Sequence, residues 1–219
     1  MRWRRVLREN GLALVIFSLS AVTLGGQIVT GRVVHNDELA KSGQAALGLG
    51  EYLTSGHFVE ALFENWESEF LQMGCFVVLT VWLRQKGSPE SNPLDEKEEE
   101  EPPRPGPRSP WPVKRGGLVL KLYEHSLSLT LFALFAVSFV LHAAGGAREY
   151  WREEMRQHGS VPGLVEYMGT AQFWFESFQN WQSEFFSMAM LIVLAIFLRE
   201  KGSSQSKPVA TPHSETGDE

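Results

Sequence analysis

The sequence predicts an all-α membrane protein: four transmembrane helices arranged as two tandem helical hairpins (parallel repeats), with amphipathic helices on the outer face. Three observations predict it. The chain repeats itself at a fixed offset of 115 residues. Each copy holds two apolar segments bounded by basic residues. Much of the acidity lies outside those segments, in the run "DEKEEEE" at 95–101. The formal net charge of −6 over 219 residues therefore describes connecting chain more than helices.

The repeat is read from its anchors. "NWESEFLQM" at 65–73 is answered by "NWQSEFFSM" at 180–188, and Glu51-Tyr52 by Glu166-Tyr167. "WLRQKGS" at 82–88 pairs with "FLREKGS" at 197–203, and "ENGLAL" at 9–14 with "EHSLSL" at 124–129. Residues 9–88 and 124–203 share 28 identities over 80 positions without a gap. Ungapped agreement at that level reads as a tandem duplication of one unit. Boundaries follow: a first two-span repeat at 1–88, an acidic Pro-rich linker at 89–113, a second two-span repeat at 114–203, and a tail at 204–219. Charge and proline in the linker oppose core formation, so it reads as solvated, and the tail's composition reads as disordered.

The elements follow in chain order. "GLALVIFSLSAVTLGGQIVTG" at 11–31 and its partner "SLSLTLFALFAVSFVLHAAGG" at 126–146 lack Asp, Glu, Lys and Arg. About 20 such residues suffice to cross a bilayer as a helix. The first follows "MRWRRVLR" and resembles a secretory signal, but its internal counterpart cannot be one, so it is expected to stay in place. "RVVHNDELAKSG" and "AREYWREEMRQHG" read as charged extensions of these helices. Turns marked by Gly or Pro come next, and helices restart near Ser55 and Thr170, both candidate N-caps. The second apolar segments, 70–83 and 185–198, have 14 residues each and reach spanning length only when extended back through Trp66 and Trp181.

Basic residues predict the orientation. With the N-terminus, linker and C-terminus cytoplasmic, 15 of the 20 Lys and Arg fall inside. Arg2, Arg4, Arg5, Arg8, Arg84, Lys86, Lys114, Arg115, Arg199 and Lys201 flank the inner ends.

The repeated phrase supplies the candidate site. On a helix, Asn65, Ser68, Glu69 and Gln72 share one polar stripe, matched by Asn180, Ser183, Glu184 and Ser187. Trp66, Phe70 and Met73 adjoin it, as do Trp181, Phe185 and Met188. A carboxylate near hydrocarbon needs a partner, a cavity or water. Three readings stay open: a cation, proton or polar-ligand site built on Glu69 and Glu184; a helix-packing network; or side chains reaching outward to water. Gln27 and His142 occupy equivalent positions near the outer ends of the first spans and are secondary candidates.

Other chemistry lacks sequence support. The six histidines show no HxxxH or HxH spacing, and one cysteine, Cys75, excludes an intrachain disulfide and any multi-cysteine metal site. No nucleophile elbow, P-loop or dinucleotide fingerprint occurs. With 20 basic against 26 acidic residues there is no nucleic-acid face. No catalytic residue, metal or cofactor is expected. The expected partners are the lipid bilayer and either further copies of the chain or another membrane protein.

In "GHFVEALFENWESEFLQM" followed by "LRQKGS", and again in "NWQSEF" and "LREKGS", the chain resembles a family of bacterial four-pass membrane proteins known only as a domain of unknown function. The resemblance implies a bacterial inner-membrane protein and carries no activity and no site residues. Gln179 and Gln182 stand where the first copy has Glu64 and Glu67, which breaks the symmetry of any acidic cage. A non-enzymatic structural or interaction role in the cell envelope is expected, with a small ion, proton or solute transporter using the paired carboxylates as the alternative.

Overall fold

A computed structural model describes residues 2–94, 103–157 and 163–216. The acidic run at 95–101 lies outside them. The described residues are helical, with no strands. In chain order they form α1 (Arg2–Lys41), α2 (Leu49–Leu53), α3 (Gly56–Trp82), α4 (Trp111–Arg115), α5 (Gly117–Glu124), α6 (Ser126–Gln157), α7 (Leu164–Met168) and α8 (Ala171–Phe197).

The helix frame recurs at the offset read from the anchors. α2 and α7 each have 5 residues, and α3 and α8 each have 27, starting at equivalent positions. α1 leaves helical geometry at Asn10 (φ −130°, ψ 16°) before its apolar run. The equivalent residue, His125, separates α5 from α6 with φ −109° and ψ 11°. Both expected N-caps form. Ser55 Oγ accepts from Phe58 N–H at 3.2 Å and Thr170 Oγ1 from Phe173 N–H at 3.3 Å. Each satisfies one donor that the first helical turn leaves without a partner.

Three helices among the described residues are long and apolar enough to cross a membrane, not the four expected: Val6–Lys41, Ser126–Arg152 and Ala171–Phe197. α3 has the length of α8 but not its apolarity. Its first half carries Glu60, Glu64, Glu67 and Glu69, whereas α8 carries only Glu176 and Glu184. Its second half is also the less apolar of the two, with Gly74, Thr80 and Trp82 where α8 has Ala189, Ala195 and Phe197.

The chain divides into two compact units. The first comprises Met1–Leu62 and Leu141–Tyr167. Here the loop after α1 is held by Asn36, whose Oδ1 accepts from Leu47 N–H at 2.8 Å while Nδ2 donates to Leu47 O at 3.2 Å. Arg32 Nε donates to the same carbonyl at 3.0 Å. α2 then lays Tyr52, 1% exposed, against Gly31 of α1, and α7 lays Tyr167 against Gly146 of α6. A β-carbon at either glycine would collide with the phenol oxygen, so close approach requires glycine at both places. The start of α3 crosses α6 the same way, with Gly56 against the Gly145 carbonyl.

The second unit comprises Phe63–Val140 and Met168–Glu219. Gly74 of α3 packs on the Phe132 ring of α6. Beyond α3 and α8 the chain repeats one capping pattern. Arg84 Nη1 donates to the carbonyls of Thr80, Val81 and Leu83, and Arg199 Nη1 to those of Ala195, Ile196 and Leu198. Cations suit helix C-termini because the last carbonyls lack backbone donors. Ser91 Oγ then accepts from Gln85 N–H, and Ser206 Oγ from Glu200 N–H, both at 2.9 Å. The equivalence thus runs past Ser203, where the aligned anchors stop. The 204–219 tail, expected to be disordered, carries hydrogen-bonded turns as far as its described residues reach. Their centre is Lys207, 1% exposed, whose Nζ donates to the carbonyls of Pro212, His213 and Glu215 at 3.0–3.2 Å.

Candidate functional site

The polar stripe forms on α3 and α8, within the second unit, but it is not one lining. On α3, Ser68 (1% exposed) and Gln72 (6%) are buried, while Asn65 and Glu69 are exposed. Ser68 Oγ donates to the Asn65 carbonyl at 2.8 Å, the usual local bond of a helical serine. On α8, Asn180 and Glu184 are half-buried, whereas Ser183 and Ser187 point outward. Ser187 Oγ donates back to the Glu184 carbonyl at 2.9 Å. Glu69 and Glu184 come within electrostatic reach of each other. The two serines of the second copy do not join them.

The residues that fasten α3 to α8 are different ones. Trp181 Nε1 donates to Glu67 Oε1 at 2.8 Å, and Glu67 has no exposed surface. Asn180 Nδ2 donates to Glu64 Oε1 and, at 3.0 Å, to the Glu176 carbonyl of its own helix. An indole N–H is a donor only and a carboxylate an acceptor, so the pair is chemically matched. Trp181 also packs edge-on against Phe135, Trp174 and Phe178, which fixes the indole plane and aims its N–H. The bond is asymmetric by sequence: Gln182 stands where Glu67 stands in the other copy. Glu64 and Glu67 were absent from the predicted stripe because the i, i+3, i+4, i+7 template selects one face. They lie on the neighbouring face, and it is this face that meets α8.

In the first unit, Gln27 Nε2 reaches the Ala61 carbonyl at 3.5 Å, a long contact, and His142 is fully buried. Glu60 Oε1 accepts from Tyr167 O–H at 3.1 Å. Both secondary candidates belong to the first unit. Sequence spacing also missed His35, Glu38 and His57, whose ligand atoms lie within 4.8 Å of one another. His35 and His57 are 22 positions apart on separate helices, so no local motif signals them.

The seam can hold two helices together, and its exposed polar edge can meet a further helix or an ion. Residues 3–218 match the family described as Domain of unknown function (DUF6766). No curated protein and no solved structure matches the chain.

Proposed function

The chain belongs to the DUF6766 family, a domain of unknown function, and from that premise we propose that it is a non-enzymatic structural or interaction component of a bacterial inner membrane. The observation that carries this reading is the Trp181–Glu67 bond. A carboxylate without solvent access is committed to a tryptophan on the neighbouring helix. Buried polar groups left without partners are expensive, and matched ones hold helices in a single register. The buried polar face of α3 is thus used for packing. The outward Ser183 and Ser187 of α8 are the groups available to another copy of the chain or to a membrane partner. Contacts recurring 115 residues apart support an origin by duplication. The basic ends of the apolar helices support placing the N-terminus, linker and C-terminus in the cytoplasm.

Reconstitution tests the reading. Purified protein in liposomes should pass no more protons or alkali cations than empty vesicles, while Trp181→Phe lowers the melting temperature. The second reading, a small ion or proton transporter, rests on the proximity of Glu69 and Glu184. Flux that Glu69→Gln abolishes would establish it and displace the first.

A further inference from the structure

His35 of α1 is 1% exposed, and its Nδ1 has no hydrogen-bond partner among the described residues. That nitrogen faces Glu38 Oε2 at 3.9 Å, beyond hydrogen-bond range but close enough for a shared cation. The His57 ring of α3 lies beside it, with ring centroids 4.6 Å apart. One ligand atom from each of the three residues falls within a common 4.8 Å. Glu38 is 59% exposed and leaves the cluster open to solvent on its side. All three belong to the first unit.

We propose that His35, Glu38 and His57 form a binding site for a divalent transition-metal ion of the zinc class. Two imidazoles and one carboxylate are the ligand set that borderline ions take, with a fourth position left for water. Around one tetrahedral ion the ligand atoms would stand about 3.3 Å apart, a contraction that rotation of Glu38 and His57 can supply.

The surroundings are built to orient the ligands. The Tyr52 hydroxyl lies 3.4 Å from His57 Nδ1. The phenol oxygen can accept a hydrogen bond from Nδ1–H, which leaves Nε2 of His57 free for the ion. Outer partners of this kind fix the tautomer of metal-binding histidines. At His35, Arg152 Nη1 lies 3.3 Å from Nε2. A guanidinium only donates, so without metal Nε2 accepts and Nδ1 carries the proton. Metal binding moves that proton to Nε2, and Arg152 turns to Glu149 Oε2, already 3.5 Å away. The proposal does not depend on the reading given to the α3–α8 seam.

The test uses the full chain in detergent, with an affinity tag that contains no histidine, stripped with chelator and titrated with Co(II). The expected result is one equivalent bound per chain, with the visible absorption of a four-coordinate nitrogen and oxygen site, displaced by Zn(II). His57→Ala should weaken binding by at least the factor of about 10–100 that loss of an outer partner causes. Glu38→Gln should weaken it while leaving the melting temperature in chelator unchanged, which separates ligand loss from unfolding. Arg152→Gln should bind at least as tightly as the parent, because its carbonyl can accept from Nε2–H. Cobalt that keeps the spectrum of the aqueous ion, or affinity unchanged in both His57→Ala and Glu38→Gln, overturns the proposal.

Discussion

A methyl group at Gly31 tests the tyrosine-on-glycine contact that docks α2 onto α1. In Gly31→Ala the new β-carbon meets the Tyr52 hydroxyl oxygen well inside contact distance, and Tyr52 is 1% exposed and cannot step aside. Overpacking of this kind costs about 1–3 kcal/mol. Alanine returns about 1 kcal/mol through its better helix propensity. The net loss is then up to roughly 2 kcal/mol, and a chain of this size melts about 2–4 °C lower per kcal/mol. Tyr52→Phe should rescue it. Without the hydroxyl the nearest atom is the ring carbon Cζ at 3.4 Å, an ordinary van der Waals contact. Little is lost with the hydroxyl, since its approach to His57 Nδ1 is long at 3.4 Å. The double variant should therefore melt at or above Tyr52→Phe alone. The equivalent pair must behave differently. In Gly146→Ala the new carbon lies 2.6 Å from both Tyr167 Cζ and Glu60 Oε1, so Tyr167→Phe gives no rescue. Thermal unfolding of the six variants and the parent in one detergent reads all of this. A Gly31→Ala protein that melts with the parent, or a Tyr52→Phe background that leaves its deficit intact, would refute the reasoning.

Three further outcomes are expected. Trp181→Phe removes the indole donor to buried Glu67 and should destabilise by about 1–3 kcal/mol, whereas Glu67→Gln, which can still accept, should lose less; equal melting of Trp181→Phe and parent contradicts the seam. At Lys207, burial first and the Arg199 charge second hold the ammonium below the ordinary lysine pKa, against the pull of Glu215. The folded tail therefore binds fewer protons than the unfolded one, so protection of its amides from hydrogen exchange should rise through the alkaline window below the ordinary lysine value and fall again as pH drops through the lowered one; Lys207→Ala should erase that dependence. Finally, in a Cys75→Ala background, a cysteine at Pro107 of the linker should resist an impermeant thiol reagent on intact cells, and labelling there contradicts a cytoplasmic linker.

Much of the fold was legible because it is local. The helix starts at Gly56 and Ala171 follow from Ser55 and Thr170, whose oxygens satisfy donors three residues on. The long first helices follow from uncharged runs that no sheet or loop would accommodate. The membrane count was less legible. Extension of the 70–83 run through Trp66 takes in Glu67 and Glu69, and an apolar half interrupted by Gln72, Gly74 and Thr80 does not offset them. Composition averages over residues, so it does not show that Lys207 is given three backbone carbonyls within the 204–219 stretch.

The amino-acid order alone determined the repeat, the all-helical class, the caps and the polar stripe, because each depends on spacing along one chain. Tertiary structure alone decided which carboxylates matter. Glu67 and not Glu69 meets Trp181, since a helix can turn either neighbouring face to its partner and the choice depends on packing across the seam. It also decided that His35 and His57 stand side by side. Residues on separate helices acquire a common chemistry only when the chain folds them into the same few ångströms.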